Sequence, residues 1–472
     1  MSLMPRPLRL TLLAAAMAAL MGGCAPVGPN YQRPAVDIPA DFPQRSEGEA
    51  AALRADWWTL YGDATLNQLV SAAQSGSADI RLAAAQLEEA RAALREVDAA
   101  NYPQIDGTLA DTESRVSTVT ALPGANPIIR PNKRITASAS FELDFWGRLR
   151  RSTEAARAAA LSSRYGRDVV ALTLAGTTAQ TYFSLRAADA QIAVTRITLK
   201  ARDESLEVAR NRASSGVTSD LDVHQAVSAR ADAVLQLQDL ERQRKVLEHQ
   251  LGVLTGNLTL RIEPGSLDQL PVPPVPPAGL PSALLERRPD VQVAEQNLVA
   301  ANARIGVAKA AMFPTISLTG TYGGESADFS NLLNMPARIW SAGFGLALPL
   351  FDAGRLSART EQAQARQRQS VANYQKAVET AFRETADAIS NLSATTASEA
   401  ELKIKVDASR QALELARIRY QAGYSAYLEV LDAQRTANDA ELALVRNRQS
   451  RLAYSVDLMK ALGGGWTAQA QP

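Results

Sequence analysis

Residues 135–145 read ITASASFELDF, and apolar and polar side chains alternate along them. Ile135, Ala137, Ala139, Phe141, Leu143 and Phe145 fall on one face, with Thr136, Ser138, Ser140, Glu142 and Asp144 on the other. A period of two is that of a β-strand with one apolar face. Residues 340–350 repeat the pattern, with Trp340, Ala342, Phe344, Leu346, Leu348 and Leu350 on one side. Ile316, Leu318 and Tyr322 alternate with Ser317, Thr319 and Thr321 in a partner strand, whereas the partner expected over 104–117 alternates poorly. Segments of about ten residues with this pattern have the length of tilted transmembrane strands.

Each strand pair is followed by a long stretch of helical character. No proline interrupts residues 149–213, and residues 356–421 repeat the feature. About 65 residues at 1.5 Å each make a rod on the order of 100 Å. Apolar side chains recur every seven residues at Leu185, Ile192, Leu199 and Leu206, and again at Ala226, Ala233, Leu240, Leu247 and Leu254. Such a seam is coiled-coil-like and needs a neighbouring helix.

The chain says nearly everything twice. LEVARNRASSGVTSDLDV at 206–223 matches LELARIRYQAGYSAYLEV at 413–430, an offset of 207 that pairs Gly216 with Gly423. Upstream the offset is 211, pairing Asp79 with Asp290 and NYPQI (101–105) with MFPTI (312–316). Co-linear prolines, glycines and strands mark a duplication. The expected organisation is a leader over 1–23, an N-terminal segment over 24–63, repeats over 64–260 and 282–465, and a tail over 466–472. A Pro-rich connector over 261–281 joins the repeats; its core, DQLPVPPVPPAGLP, disfavours helix and ladder alike.

Charge is balanced, with 50 basic and 49 acidic residues, so no field for nucleic acid exists. Arg6 and Arg9 precede the apolar run LTLLAAAMAALMGG, which ends at Cys24. That is the form of an export signal, too short to span a bilayer as a helix. Cys24 is the only cysteine, so no internal disulfide forms. Its position resembles the acylated first residue of bacterial lipoproteins, with Met21 where leucine is usual, and Ala25 in place of the aspartate that would hold such a protein at the inner membrane. A covalent lipid (palmitate) on Cys24 is the one prosthetic group expected. His224 and His249 lack partners at metal-ligand spacing, and no phosphate loop or nucleophile motif occurs, so an enzyme is not expected.

Four membrane strands cannot stand alone, because every backbone polar group in lipid needs a partner and the smallest barrels have about eight strands. Two or three copies are the minimum.

Three stretches carry a resemblance to the TolC family of outer-membrane efflux channels, nearest its OprM/NodT-type lipoprotein branch. They are CAPVGPNYQRP (24–34), LPSALLERRPDVQVAEQNLVAANARIGVAKAAMFPTISLTGTYG (280–323) and RYQAGYSAYLEVLDAQ (419–434). The resemblance implies a mixed α and β membrane protein. Four strands per chain would close a 12-stranded barrel as a homotrimer, continued by a coiled-coil-like helical barrel into the periplasm. It implies export of drugs, metals or other small toxic molecules, with a periplasmic adaptor and an inner-membrane RND-type pump as partners.

It also implies that 206–223 and 413–430 are the periplasmic tips, turning at Gly216 and Gly423. Glu429 and Asp432 match the family's acidic constriction, which three-fold symmetry would make a cation-attracting ring. Asp222 matches a carboxylate that accepts from a tyrosine on a neighbouring hairpin, and Tyr420 matches that tyrosine. Ser425 stands where some relatives carry an arginine. Arg212 and Arg419 would cap their own helices. The rival readings are a periplasmic lipoprotein adaptor, which should carry one hairpin and small β-domains, and a passive porin, which would need more strands.

Overall fold

The computed structural model describes residues 26–37, 39, 54–115, 117, 119, 129–273 and 284–465. Cys24, the leader, the connector from 274 to 281 and the tail at 466–472 lie outside them. The chain divides into two compact units, one of residues 1–35, 87–163 and 293–374, the other of 36–86, 164–292 and 375–472.

The first unit holds the sheet. Strands β1 (Gln104–Arg115), β2 (Ile129–Leu143), β3 (Thr315–Ser326) and β4 (Arg338–Ala347) lie in the order β1-β2-β3-β4, every neighbouring pair antiparallel. Cross-strand partners share a face, and the register therefore sorts the side chains. Ile105 opposes Ala139 and Leu109 opposes Ile135; Phe141, Leu318 and Phe344 form one row, and Ala137, Tyr322 and Trp340 another. All of these lie on one face. Asp106, Thr108, Ser138, Ser140, Thr319, Thr321 and Ser341 lie on the other. The large apolar side chains Ile105, Leu109, Tyr322, Trp340 and Phe344 are exposed. An apolar face turned outward from a polar one is the arrangement of a membrane barrel wall.

Two strands end sooner than the alternation predicts. Strand β2 stops at Leu143, leaving Phe145 outside, and β4 stops at Ala347, leaving Leu348 and Leu350 outside. Pro349 cannot donate to a ladder. Asp144 has a different task from the polar strand face expected of it: its carboxylate accepts from the backbone N–H groups of Leu149 (3.1 Å) and Arg150 (2.9 Å). Asp352 does the same in the second repeat, accepting from Gly354 (3.0 Å) and Leu356 (2.9 Å). Each carboxylate satisfies N–H groups that a helix start leaves unpaired. Strand thus gives way to helix at an aspartate in both repeats.

The helices that follow are α3 (Arg148–Ser214) and α6 (Arg355–Gln421), preceded by α1 (Ala64–Gly76) and α2 (Ala78–Ala99) in the first repeat and α5 (Pro289–Ala310) in the second; α4 (Asp220–Thr255) and α7 (Tyr427–Ala461) return the chain. Helices α3 and α6 each run 67 residues. Among the described residues, no helix is long and apolar enough to cross a membrane.

In the second unit most of the seven-residue seam is buried, with Leu185, Ile192, Leu206, Ala226, Ala233 and Leu240 inside and Leu199, Leu247 and Leu254 half-buried. Its largest core gathers Trp57, Tyr61, Leu66, Val70, Tyr182, Phe183, Leu251 and Leu452. Several polar groups at this core are paired. Tyr182 donates to Asp63 (2.7 Å) and accepts from Arg186 (2.9 Å), and burial followed by the Asp63 bond pushes its phenol up to about 12. The connector's first residues have no regular structure, yet Asp189 fixes them by accepting from the Gly265 N–H (3.1 Å), while Arg186 donates to the Glu263 carbonyl (2.6 Å).

Candidate functional site

The two tips in the second unit are built alike. After α3, Gly216 takes φ 71°, its N–H bonds the Ala213 carbonyl (2.9 Å), and the Val217 N–H reaches the Arg212 carbonyl (2.9 Å). After α6, Gly423 takes φ 81°, with bonds from Gly423 to Tyr420 (3.0 Å) and from Tyr424 to Arg419 (2.9 Å). Both are the left-handed helix stop that glycine adopts without a Cβ penalty. No atom lies within 4 Å of where a Cβ would stand at either glycine, so the conformation alone requires it.

The copies then diverge. Ser219 caps α4 by accepting from the Leu221 N–H (2.9 Å), but its counterpart Ala426 has no side chain to cap α7. Ser425 Oγ is buried with no hydrogen-bond partner among the described residues.

Between the hairpins lies a small apolar cluster of Leu206, Ala209, Ala226, Ala416, Tyr420, Tyr427 and Val430. The rings of Tyr420 and Tyr427 sit 5.5 Å apart at 56°. Arg212 bridges the hairpins. Its Nη1 donates to the carbonyls of Tyr420 (3.1 Å) and Gln421 (3.3 Å), and its guanidinium lies 4.8 Å from the Tyr420 ring centroid. Arg212, a candidate cap for its own helix, caps α6, where carbonyls lack intrahelical partners and a cation is favoured.

Asp222 and Tyr420 are brought together. The phenol is buried, and burial first, then the Asp222 charge, holds it above the ordinary tyrosine value, with Arg212 acting in the opposite sense. The Tyr420 hydroxyl makes no hydrogen bond of good geometry to the described residues, and Asp222 acts on it through its charge first and a weaker side-chain contact second. Glu429 and Asp432 are exposed near the start of α7. Glu429 pairs with Arg419 (3.1 Å), and Asp432 stands 3.9 Å from Arg435. Arg212 and Arg419 are equivalent in the repeat, as are Asp222 and Glu429. One arginine turned to the other hairpin and one stayed with its own carboxylate, a choice no spacing in the sequence reveals. Tyr427 was also not foreseen; Val430, one helical turn on and buried with it, was the available signal. No group of side chains able to hold a metal occurs among the described residues.

An amphipathic antiparallel sheet feeding two long hairpins whose tips contact one another defines a subunit of a membrane channel. The Outer membrane efflux protein family model matches residues 69–257 and 280–464. The chain belongs to that family, and its doubled strands and helices match the trimeric channels of the TolC type.

It is 35% identical over 471 residues to the probable efflux pump outer membrane protein TtgC of Pseudomonas putida, covering 97% of this chain and 96% of that one. It is also 35% identical over 466 residues to the cation efflux system protein CusC of Escherichia coli, covering 96% and 98%. A crystal structure of CusC, described in terms of transmembrane channel formation, superposes with a TM-score of 0.84 at 30% identity, covering 93% of this chain and all of that one. The chain is therefore an outer-membrane efflux channel with a periplasmic helical extension, a conduit and not an enzyme. The adaptor reading is set aside, since the channel family's model spans both repeats.

Proposed function

We propose that this channel is the exit duct of a tripartite system, taking drugs, toxic small molecules or metal ions from a periplasmic adaptor and an RND-type inner-membrane pump, and that it is gated at the tips. In this reading Asp222 and Tyr420 hold the hairpins together, Gly216 and Gly423 make the turns, and Glu429 and Asp432 present their carboxylates to the lumen as a cation-attracting ring. The observation that carries the gate is the contact between hairpins, where Arg212 holds the end of α6 while the Tyr420 phenol faces Asp222.

The relatives' names support the cargo classes: an antibiotic efflux pump protein and a toluene efflux pump protein of Pseudomonas putida, and the cation system of Escherichia coli.

Cys24 carries the lipid anchor in this reading. What supports it is the path of the chain just after it. The Val27 N–H donates to the Trp146 carbonyl (2.9 Å), and Trp146 stacks on Phe313 (4.8 Å between ring centroids) while its indole N–H donates to the Pro314 carbonyl (2.7 Å). The segment after Cys24 thus runs beside the ends of β2 and β3, where the apolar face of the sheet begins. An acyl chain there meets the membrane.

The gate is tested by single-channel recording of Asp222→Asn and Tyr420→Phe in planar bilayers. A conductance above wild type in both is expected. Wild-type conductance in both contradicts the gate.

A further inference from the structure

The loop between β3 and β4 lies on the lipid-facing side of the sheet. Gly324 pairs with Ile135 and Arg338, so it shares their face. A Cβ on Gly324 would fall on the Leu332 carbonyl oxygen, so the loop folds back over that face, and only glycine admits it. Lys133, on the same face one step further along β2, places its ammonium 4.7 Å from the Phe329 ring centroid. The two contacts fix the loop independently.

Its level in the membrane follows from the register. Leu143, Ile316 and Leu346 form the first apolar row, and Leu109, Ile135, Gly324 and Arg338 the last. Eight residues of β2 separate these rows, about 27 Å of strand, or about 21 Å of depth at a tilt of about 40°. Tyr322 and Trp340 make an aromatic row one step inside the last, as interfacial girdles do. The loop therefore sits at the outer rim of the hydrocarbon. There it exposes Phe329 (54%), Leu333 (79%) and Met335 (68%), while Leu332 tucks in as an anchor. The turns at Phe329–Asn331 and Met335–Ala337 give it internal order. Asp328 is its only acidic residue. Arg338 is exposed and makes no ion pair to the described residues of its own chain, while Lys133 shares its charge with Asp111 at 3.0 Å.

We propose that residues 327–337 form a foot that binds phosphorylated lipid of the outer leaflet. Phe329, Leu333 and Met335 enter the edge of the acyl layer, and Arg338 meets the lipid phosphate. A loop that merely faced water would not keep three large apolar side chains outward at the outer edge of the apolar face. The inference rests on the apolar face of the sheet being the lipid-facing one.

The test uses the full-length channel, exchanged into detergent with bisphosphoryl lipid A or its phosphate-free counterpart, and native mass spectrometry to count retained lipid. Wild type retains the phosphorylated form preferentially. Arg338→Ser loses on the order of fivefold of that retention, the scale of one cation near an anionic surface, and Arg338→Lys recovers it. Phe329→Ser/Leu333→Ser/Met335→Ser lowers retention of both forms. Equal retention of the two lipids by wild type, undiminished retention by Arg338→Ser, or displacement by excess inorganic phosphate would each overturn the proposal. Bilayer conductance of the same preparations separates the causes. A variant that conducts like wild type has an intact barrel, so a negative lipid result condemns the foot alone. A wild type that does not insert condemns the lipid-facing assignment as well.

Discussion

Arg212, in the last turn of one long helix, holds the carbonyl of Tyr420, in the last turn of the other, at 3.1 Å, with its guanidinium 4.8 Å from the same residue's ring centroid. One side chain thus caps a helix and covers an aromatic ring across two hairpins that are 207 residues apart in sequence. Removing it frees two carbonyls and one face of the tip cluster. Arg212→Ala is expected to lower stability by about 1–2 kcal/mol, the scale of charge-assisted bonds at a partly exposed site, and to raise single-channel conductance. Thermal unfolding and bilayer recording check the two effects.

The Tyr420 phenol gives the tip a pH dependence of known sign. Its value in the folded chain lies above the ordinary 10.0, through burial and then the Asp222 charge. The stabilisation that comes with the neutral phenol is complete below pH 10.0 and is lost as pH rises through the folded value. Conductance at alkaline pH is therefore expected to climb in wild type beyond any change seen in Tyr420→Phe. Identical pH profiles for the two proteins would count against this role.

Glu295 tethers the N-terminal strap in the sheet-bearing unit. It accepts from Tyr31 (3.0 Å) and takes both nitrogens of the Arg33 fork (2.7 and 2.8 Å), while Asn302 donates to the Pro29 carbonyl (2.9 Å) and Arg151 to Asn30 (2.7 Å). Burial and the Glu295 charge push the Tyr31 phenol upward. Glu295→Ala strands the phenol and a half-exposed guanidinium, at an expected cost of about 2 kcal/mol. Limited proteolysis should then cut within residues 26–37, which wild type protects.

Cys24→Ala tests the anchor. Mass spectrometry of the mature N-terminal peptide should show acyl chains on Cys24 in wild type and none in the variant. The strap contacts from Val27 onward do not involve Cys24, so Cys24→Ala should keep wild-type conductance once reconstituted. A non-acylated wild-type peptide would refute the anchor.

Much of this architecture is legible in the sequence because it rests on periodicity. The alternation from Ile135 to Leu143 could only be a two-faced strand, and 67-residue helices announce themselves by the absence of proline. The duplication located both glycine turns, and the resemblance supplied Asp222 and Tyr420. What periodicity cannot express is which of two equivalent groups crosses between elements. Arg212 and Arg419 occupy the same repeat position, yet one caps the opposite hairpin and the other pairs with Glu429. Asp144 sat in register with a polar strand face, but two free helix N–H groups one turn later claimed it. The fold of residues 327–337 over the sheet depends on a missing Cβ at Gly324, which reads in sequence as one glycine among several.

The most direct test of a tip lined by carboxylates is ion selectivity in planar bilayers, wild type beside Glu429→Ala/Asp432→Ala. The account predicts a small cation-selective conductance in wild type and loss of that preference, with the channel still inserted, in the double variant. Unchanged cation preference in the double variant would contradict it.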